Sequence, residues 1–182
     1  MELLLQTLMG LGLSAACGFK VFVPLLLISI AALTGDLELT AQFSWLGTNT
    51  AVVTFALATV LETIAYFIPW LDNGLDLLAT PVVIVAAVIT TASVVTGLSP
   101  VFQWVLALIA GGGLAGAFQV ATVGVRGLST VSTGGLGNPI VALFELVVSL
   151  VLSVVALLYP ILVLIIVLTL FYLFCKRLLA KN

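Results

Sequence analysis

From Leu3 to Gly35 the chain carries one charged residue, Lys20. A bilayer's hydrocarbon core is about 30 Å thick and is crossed by roughly 20 apolar residues as a helix. In lipid, every backbone N–H and C=O must find its partner inside the protein, and a helix does this within a single segment. Continuous apolar runs of this kind therefore predict transmembrane helices. With glycine, proline and small polar clusters as boundaries, six candidate spans fall at residues 3–33, 49–68, 78–96, 100–123, 139–158 and 160–178. The expected fold is all-α, a polytopic helical bundle forming one integral membrane domain over residues 1–182. The Tyr159-Pro160 junction is read as a tight turn, because one helix through it would be about twice as long as the hydrocarbon core is thick.

Only 7% of the residues are charged and mean hydropathy is +1.42, whereas a soluble domain carries about 25% charged residues. A formal net charge of −2 with five Lys and Arg provides no cationic surface for nucleic acid. Histidine is absent, which removes the commonest general base and neutral metal ligand. Cys17 and Cys175 form no ligand-like spacing, so no metal or other cofactor is expected. The first apolar run follows Glu2, with no basic n-region, and is read as a retained helix and not a cleaved signal.

Lysine and arginine orient a membrane protein. If the tail KRLLAKN is cytoplasmic, six spans place both termini in the cytoplasm, the Arg126 loop also falls inside, and the opposite loops hold no Lys or Arg. Loop lengths suggest two three-helix units, 3–96 and 100–178, inverted in the membrane as in many transporters; coincidental loop lengths are the alternative. Gly10, Ser14 and Gly18, and also Gly112, Gly116 and Gly124, are small residues at helical spacings that suit close helix packing.

Ionised residues inside a bilayer cost about 2.5–3.5 kcal/mol each on insertion scales, so they normally face a bundle interior or water and have partners. Here they are Lys20, Glu62, Asp72, Asp76, Arg126 and Glu145. Residue counting puts Glu62 and Glu145 at similar depth on the cytoplasmic side, with Asp72 and Asp76 in the inner PWLDNGLD loop and Arg126 opening the glycine-rich one. The expectation is an inward-facing polar site in which Lys20 and Arg126 offset the carboxylates. Interhelical salt bridges that merely fix the bundle are the plainer reading. Pro24 lacks an N–H and crowds the carbonyl four residues back, that of Lys20, so a kink is expected there. In STVSTGGLGNP, Gly134, Gly135, Gly137 and Asn138 are read as an inner gating loop, with Asn138-Pro139 opening a helix. Asp72 and Asp76, four apart, could hold Mg²⁺ against a lipid diphosphate, although capping by Asp72 and Asn73 of the helix that starts near Asp76 is the simpler reading.

The stretches GLSAACGFKVFVPLLL, LETIAYFIPWLDNGLDLLATP, LIAGGGLAGAFQ and STVSTGGLGNP resemble the bacterial membrane proteins catalogued as domain of unknown function 4126, over nearly the whole chain. The resemblance implies a multi-pass helical protein of the bacterial cell inner membrane and brings no activity or catalytic residues with it. The functional expectation is a channel or transporter for a small ion or solute, with the lipid bilayer as its surroundings and a homo-oligomer as a plausible assembly. The alternatives are a non-transporting scaffold and a metal-dependent lipid-diphosphate transferase.

Overall fold

A computed structural model describes the backbone of residues 1–179 and the side chains in that range except those of 69–73, 75–78, 174–175 and 177–179. The described residues form helices α1 (Glu2–Cys17), α2 (Phe22–Thr34), α3 (Asn49–Ala65), α4 (Pro69–Val94), α5 (Pro100–Leu106), α6 (Gly113–Thr133), α7 (Asn138–Leu158) and α8 (Pro160–Leu179). A 3₁₀ helix, Ala41–Gly47, precedes α3, and a π-helical turn, Ala107–Gly112, joins α5 to α6.

The segment 3–33 is not one span. It folds back on itself, as contacts with α4 and α7 establish. Gln6 and Thr96 exchange two hydrogen bonds, Gln6 Nε2 donating to Thr96 Oγ1 at 2.8 Å and the Thr96 N–H to Gln6 Oε1 at 3.0 Å. Deeper in the bundle, Ser14 Oγ donates to the Ala87 carbonyl at 3.1 Å, so α1 runs antiparallel to α4. Along α7, Leu5 shares a groove with Leu158, a Cβ on Gly12 would touch Ala156, and Ser149 Oγ donates to the Ala16 carbonyl at 3.0 Å. α1 therefore descends α7 while α2 climbs it: Lys20 lies beside Glu145, whereas Leu27, Ala31 and Asp36 share a groove with Val154 and Leu158. Thr40, just beyond α2, then donates from its N–H to the Ser93 carbonyl at 2.9 Å, back at the end of α4 where Gln6 sits. Helices α1 and α2 are a hairpin whose turn, Gly18–Val21, is inside the bundle.

Gly18 makes that turn possible. A Cβ there would lie 2.6 Å from the Phe118 Cβ and 2.7 Å from the Ala115 carbonyl oxygen, closer than real atoms approach. Pro24 does not kink a continuous helix; it sits in the first turn of α2, where its fixed φ is favourable and its missing N–H costs least.

The hairpin corrects three expectations. Residues 3–33 form two short helices and not the single span expected, so the count of six spans is not borne out. At the other end of the sequence, α8 turns back against α7, since a Cβ on Gly12 would meet both Ala156 and Val163; α8 thus runs toward the end of the bundle opposite to the start of α1, where both ends of the chain were expected together. Without three crossings in residues 3–96, the inverted repeat loses its basis. Two loops also shrink. PWLDNGLD belongs to α4, which begins at Pro69, and α6 continues through Gly124 and Gly127 to Thr133, leaving only Gly134–Gly137 as a turn before α7. The Tyr159-Pro160 turn and the helix start at Asn138 are as expected.

Among the described residues, two helical stretches are long and apolar enough to cross a membrane, Pro100–Thr133 and Asn138–Leu158, or three if the bent pair Ala41–Gly47 and Asn49–Ala65 counts as one. The outward faces are apolar: Val53, Leu57, Leu61 and Ile64 on α3 and Phe144, Val147 and Val151 on α7 are exposed. The interior holds Leu13, Ile28, Leu152 and Val163, but also Lys20, Gln119, Arg126, Glu145 and several serines and threonines. Apolar outside and partly polar inside is the arrangement that suits a lipid solvent.

Candidate functional site

A turn buried away from water leaves backbone groups that need partners. At the tip of the hairpin, side chains from three other helices supply them. The Glu62 carboxylate accepts the Val21 N–H at 3.0 Å and the Phe22 N–H at 3.3 Å, placing a negative charge at the positive end of α2. On the acceptor side, Ser149 Oγ is 3.4 Å from the Lys20 carbonyl, which Pro24 cannot bond for want of an N–H. Thr122 Oγ1 is 3.5 Å from the Gly18 carbonyl.

Lys20, at the same tip, is 1% exposed, and Arg126 and Glu145 are 2% exposed. Arg126 grips Glu145 with two hydrogen bonds, Nε to Oε1 at 3.1 Å and Nη2 to Oε2. This bidentate geometry is the strongest that such a pair forms. Lys20 Nζ is 4.0 Å from Glu145 Oε2. Between the cations lies Tyr66, with Lys20 Nζ 3.8 Å and Arg126 Cζ 3.9 Å from its ring centroid. Each cation–π contact is worth about 2 kcal/mol when desolvated.

The structure thus brings together Lys20, Glu62, Arg126 and Glu145, as the sequence suggests. Arg126 reaches the cluster from inside α6, two turns before its end, and not from a loop. The side chains of Asp72, Asp76 and Cys175 lie outside the described ones. Gly134 and Gly135 have positive φ and form the turn, while Asn138 is buried and donates from Nδ2 to Thr130 Oγ1 at 2.9 Å. Tyr66 is the residue that sequence reasoning missed. Its signal was its spacing, four residues after Glu62 and so on the same helical face.

Among the described residues, no group of three or more His, Cys, Asp or Glu is placed to hold a metal ion. A groove of about 530 Å³ between α2 and α7 includes Leu27, Thr34, Asp36 and Val154 in its lining. Its lining does not include Lys20, Glu62, Arg126 or Glu145.

The family model described as domain of unknown function (DUF4126) matches residues 7–180, a range that contains every member of this cluster. The chain belongs to the DUF4126 family. No curated protein matches it, and no solved structure does. For this DUF4126 chain the description carries no activity, and the functional reading rests on the buried cluster.

Proposed function

We propose that this protein is a bacterial inner-membrane transporter or channel for a proton, small ion or small solute, working through Lys20, Glu62, Tyr66, Arg126 and Glu145. In this reading α3, α4, α5 with α6, α7 and α8 cross the bilayer, and α1–α2 enters from one face and returns to it. The end with the Gly134–Gly137 turn and the basic tail is cytoplasmic, since the loops at the other end contain Asp36 and Glu38 but no Lys or Arg. The N-terminus is then on the outer face.

The observation that carries the reading is the turn inside the bundle. A helix interrupted at depth, with a carboxylate on its freed N–H groups and charges at its tip, is the construction used at transport sites. Fixing helices to one another does not require the chain to be broken there. Flux across a panel of inorganic ions and protons, measured in proteoliposomes for wild type and Glu62→Gln, tests it: wild-type flux that drops in the variant is the expected result. No flux in either, from protein that remains monodisperse, overturns it. The scaffold reading is favoured by one specific observation, the burial of Lys20, Arg126 and Glu145 in mutual contact. It predicts an assembled, folded protein with no flux.

A further inference from the structure

The groove between α2 and α7, about 530 Å³ in volume, stands apart from the charged cluster and has a chemistry of its own. Leu27, Val154 and Leu157 are in its lining, and the only polar residues there are Thr34 and Asp36, at and just past the C-terminal end of α2. Asp36 is held in place at that end. Its N–H donates to the Ala31 carbonyl at 2.9 Å, and Thr34 Oγ1 donates to its Oδ2 at 2.6 Å. Asp36 is exposed, and a carboxylate has about four acceptor sites on its two oxygens, so the bond from Thr34 leaves room for a ligand's donors.

The dimensions and surroundings of the groove say what it takes. From Leu27 to Thr34 it follows seven residues of α2, about 10 Å at 1.5 Å per residue. One leaflet's hydrocarbon is about 15 Å deep, half of a core of about 30 Å, so the apolar stretch fits within a single leaflet. The Asp36 end also carries aromatic residues. Tyr159 follows Leu158 of the groove and is exposed. Trp45 and Trp104 are exposed too, on segments that Thr40 and Gln103 tie to the C-terminal end of α4. Tryptophan and tyrosine collect where headgroups meet hydrocarbon. The apolar lining is therefore at acyl-chain depth and the carboxylate at headgroup depth. The loops at this end, residues 35–48 and 95–99, hold Asp36 and Glu38 but no Lys or Arg. Such an end attracts a cationic group and repels an anionic headgroup.

We propose that the α2–α7 groove binds one phospholipid with a primary ammonium headgroup, a phosphatidylethanolamine, whose acyl chain lies along Leu27, Val154 and Leu157 and whose ammonium donates to Asp36. A primary ammonium has three N–H donors, which the quaternary ammonium of phosphatidylcholine lacks. Phosphatidylglycerol would bring a net negative charge to an acidic end. The site rests on the bundle lying in a bilayer and not on transport: a chain that moves no ion still holds the lipid.

For the test, full-length protein in detergent micelles is given equal amounts of phosphatidylethanolamine, phosphatidylcholine and phosphatidylglycerol, and native mass spectrometry reads which lipid stays bound. Wild type should retain phosphatidylethanolamine over phosphatidylglycerol by up to about fivefold, the worth of an exposed ion pair. Asp36→Asn should abolish that preference with total bound lipid unchanged, and Asp36→Lys should reverse it. Ala31→Phe, which puts a ring into the groove, should lower total bound lipid, whereas Val53→Phe on the exposed face of α3 should not. The Asp36 variants change an exposed residue beyond the helix, so they decide the headgroup even if Ala31→Phe does not fold. Wild type that holds phosphatidylcholine or phosphatidylglycerol as firmly as phosphatidylethanolamine overturns the proposal, and so does a preference that survives Asp36→Lys. Bound lipid that is undiminished in a folded Ala31→Phe protein overturns it as well.

Discussion

Two of the antiparallel helix pairs with a proline just after the turn, α1–α2 and α7–α8, solve the same problem in opposite surroundings. The α7–α8 turn is at the surface, where Tyr159 is 62% exposed and its N–H bonds to the Val155 carbonyl at 2.7 Å. It recruits little else. The α1–α2 turn is interior, and Glu62, Thr122 and Ser149 each come from a different helix to meet its backbone. An interior turn is therefore bound up with the polar groups around it, while an exterior turn is nearly independent of its sequence context. Buried polar groups are costly when left half satisfied, so the interior turn should tolerate very little.

The largest effect should come from Glu145→Gln. It removes the carboxylate that Arg126 grips with two hydrogen bonds, and breaking one side of a buried pair costs about 3–5 kcal/mol; a fall in the thermal midpoint of purified protein in detergent measures it. Adding Arg126→Met in the same chain should recover much of the loss. No recovery would mean the pair is not the coupled unit described. Next is Gly18→Ala. Its methyl group has to displace Phe118 or the Ala115 carbonyl, and overpacking of this kind costs about 1–3 kcal/mol, whereas Gly35→Ala at the C-terminal end of α2 meets no atom within 4 Å and suffers only from its positive φ. The smallest contrast sets the two turns directly against each other. Ser149→Ala removes hydrogen bonds from the interior turn, at about 1 kcal/mol, and Tyr159→Ala at the exterior turn should stay within about 0.5 kcal/mol. Equal losses in the two would erase the distinction.

Much of this was legible in the sequence. Helices with apolar outward faces follow from hydropathy, the α7 start from Asn138-Pro139, and the gathering of Lys20, Glu62, Arg126 and Glu145 from the cost of burying a charge alone. The hairpin was not legible from hydropathy, because an apolar run of given length reads the same whether it crosses or returns. What marks the return is local: Gly18 before Lys20 and Pro24 after it, inside a run longer than one crossing needs. The loops were overdrawn for a related reason. Proline and glycine read as breaks in a sequence, yet Pro69 opens a helix and Gly124 and Gly127 lie within one, since packing overrides single-residue propensity.

The π-helical turn at Ala107–Gly112 sets the phase between two fixed points. Before it, Gln103 Nε2 holds the Val95 carbonyl at 3.1 Å and so pins α5 to the end of α4; after it, α6 carries Arg126 to Glu145. A π turn is in effect one residue inserted into an α-helix, and each residue advances a helix by about 100°. Deleting one residue between Ala107 and Gly112 would leave both helices intact and swing Arg126 about a quarter turn away from Glu145. The spare residue acts as an angular adjustment, and the charged cluster is aligned by a register set four helical turns away.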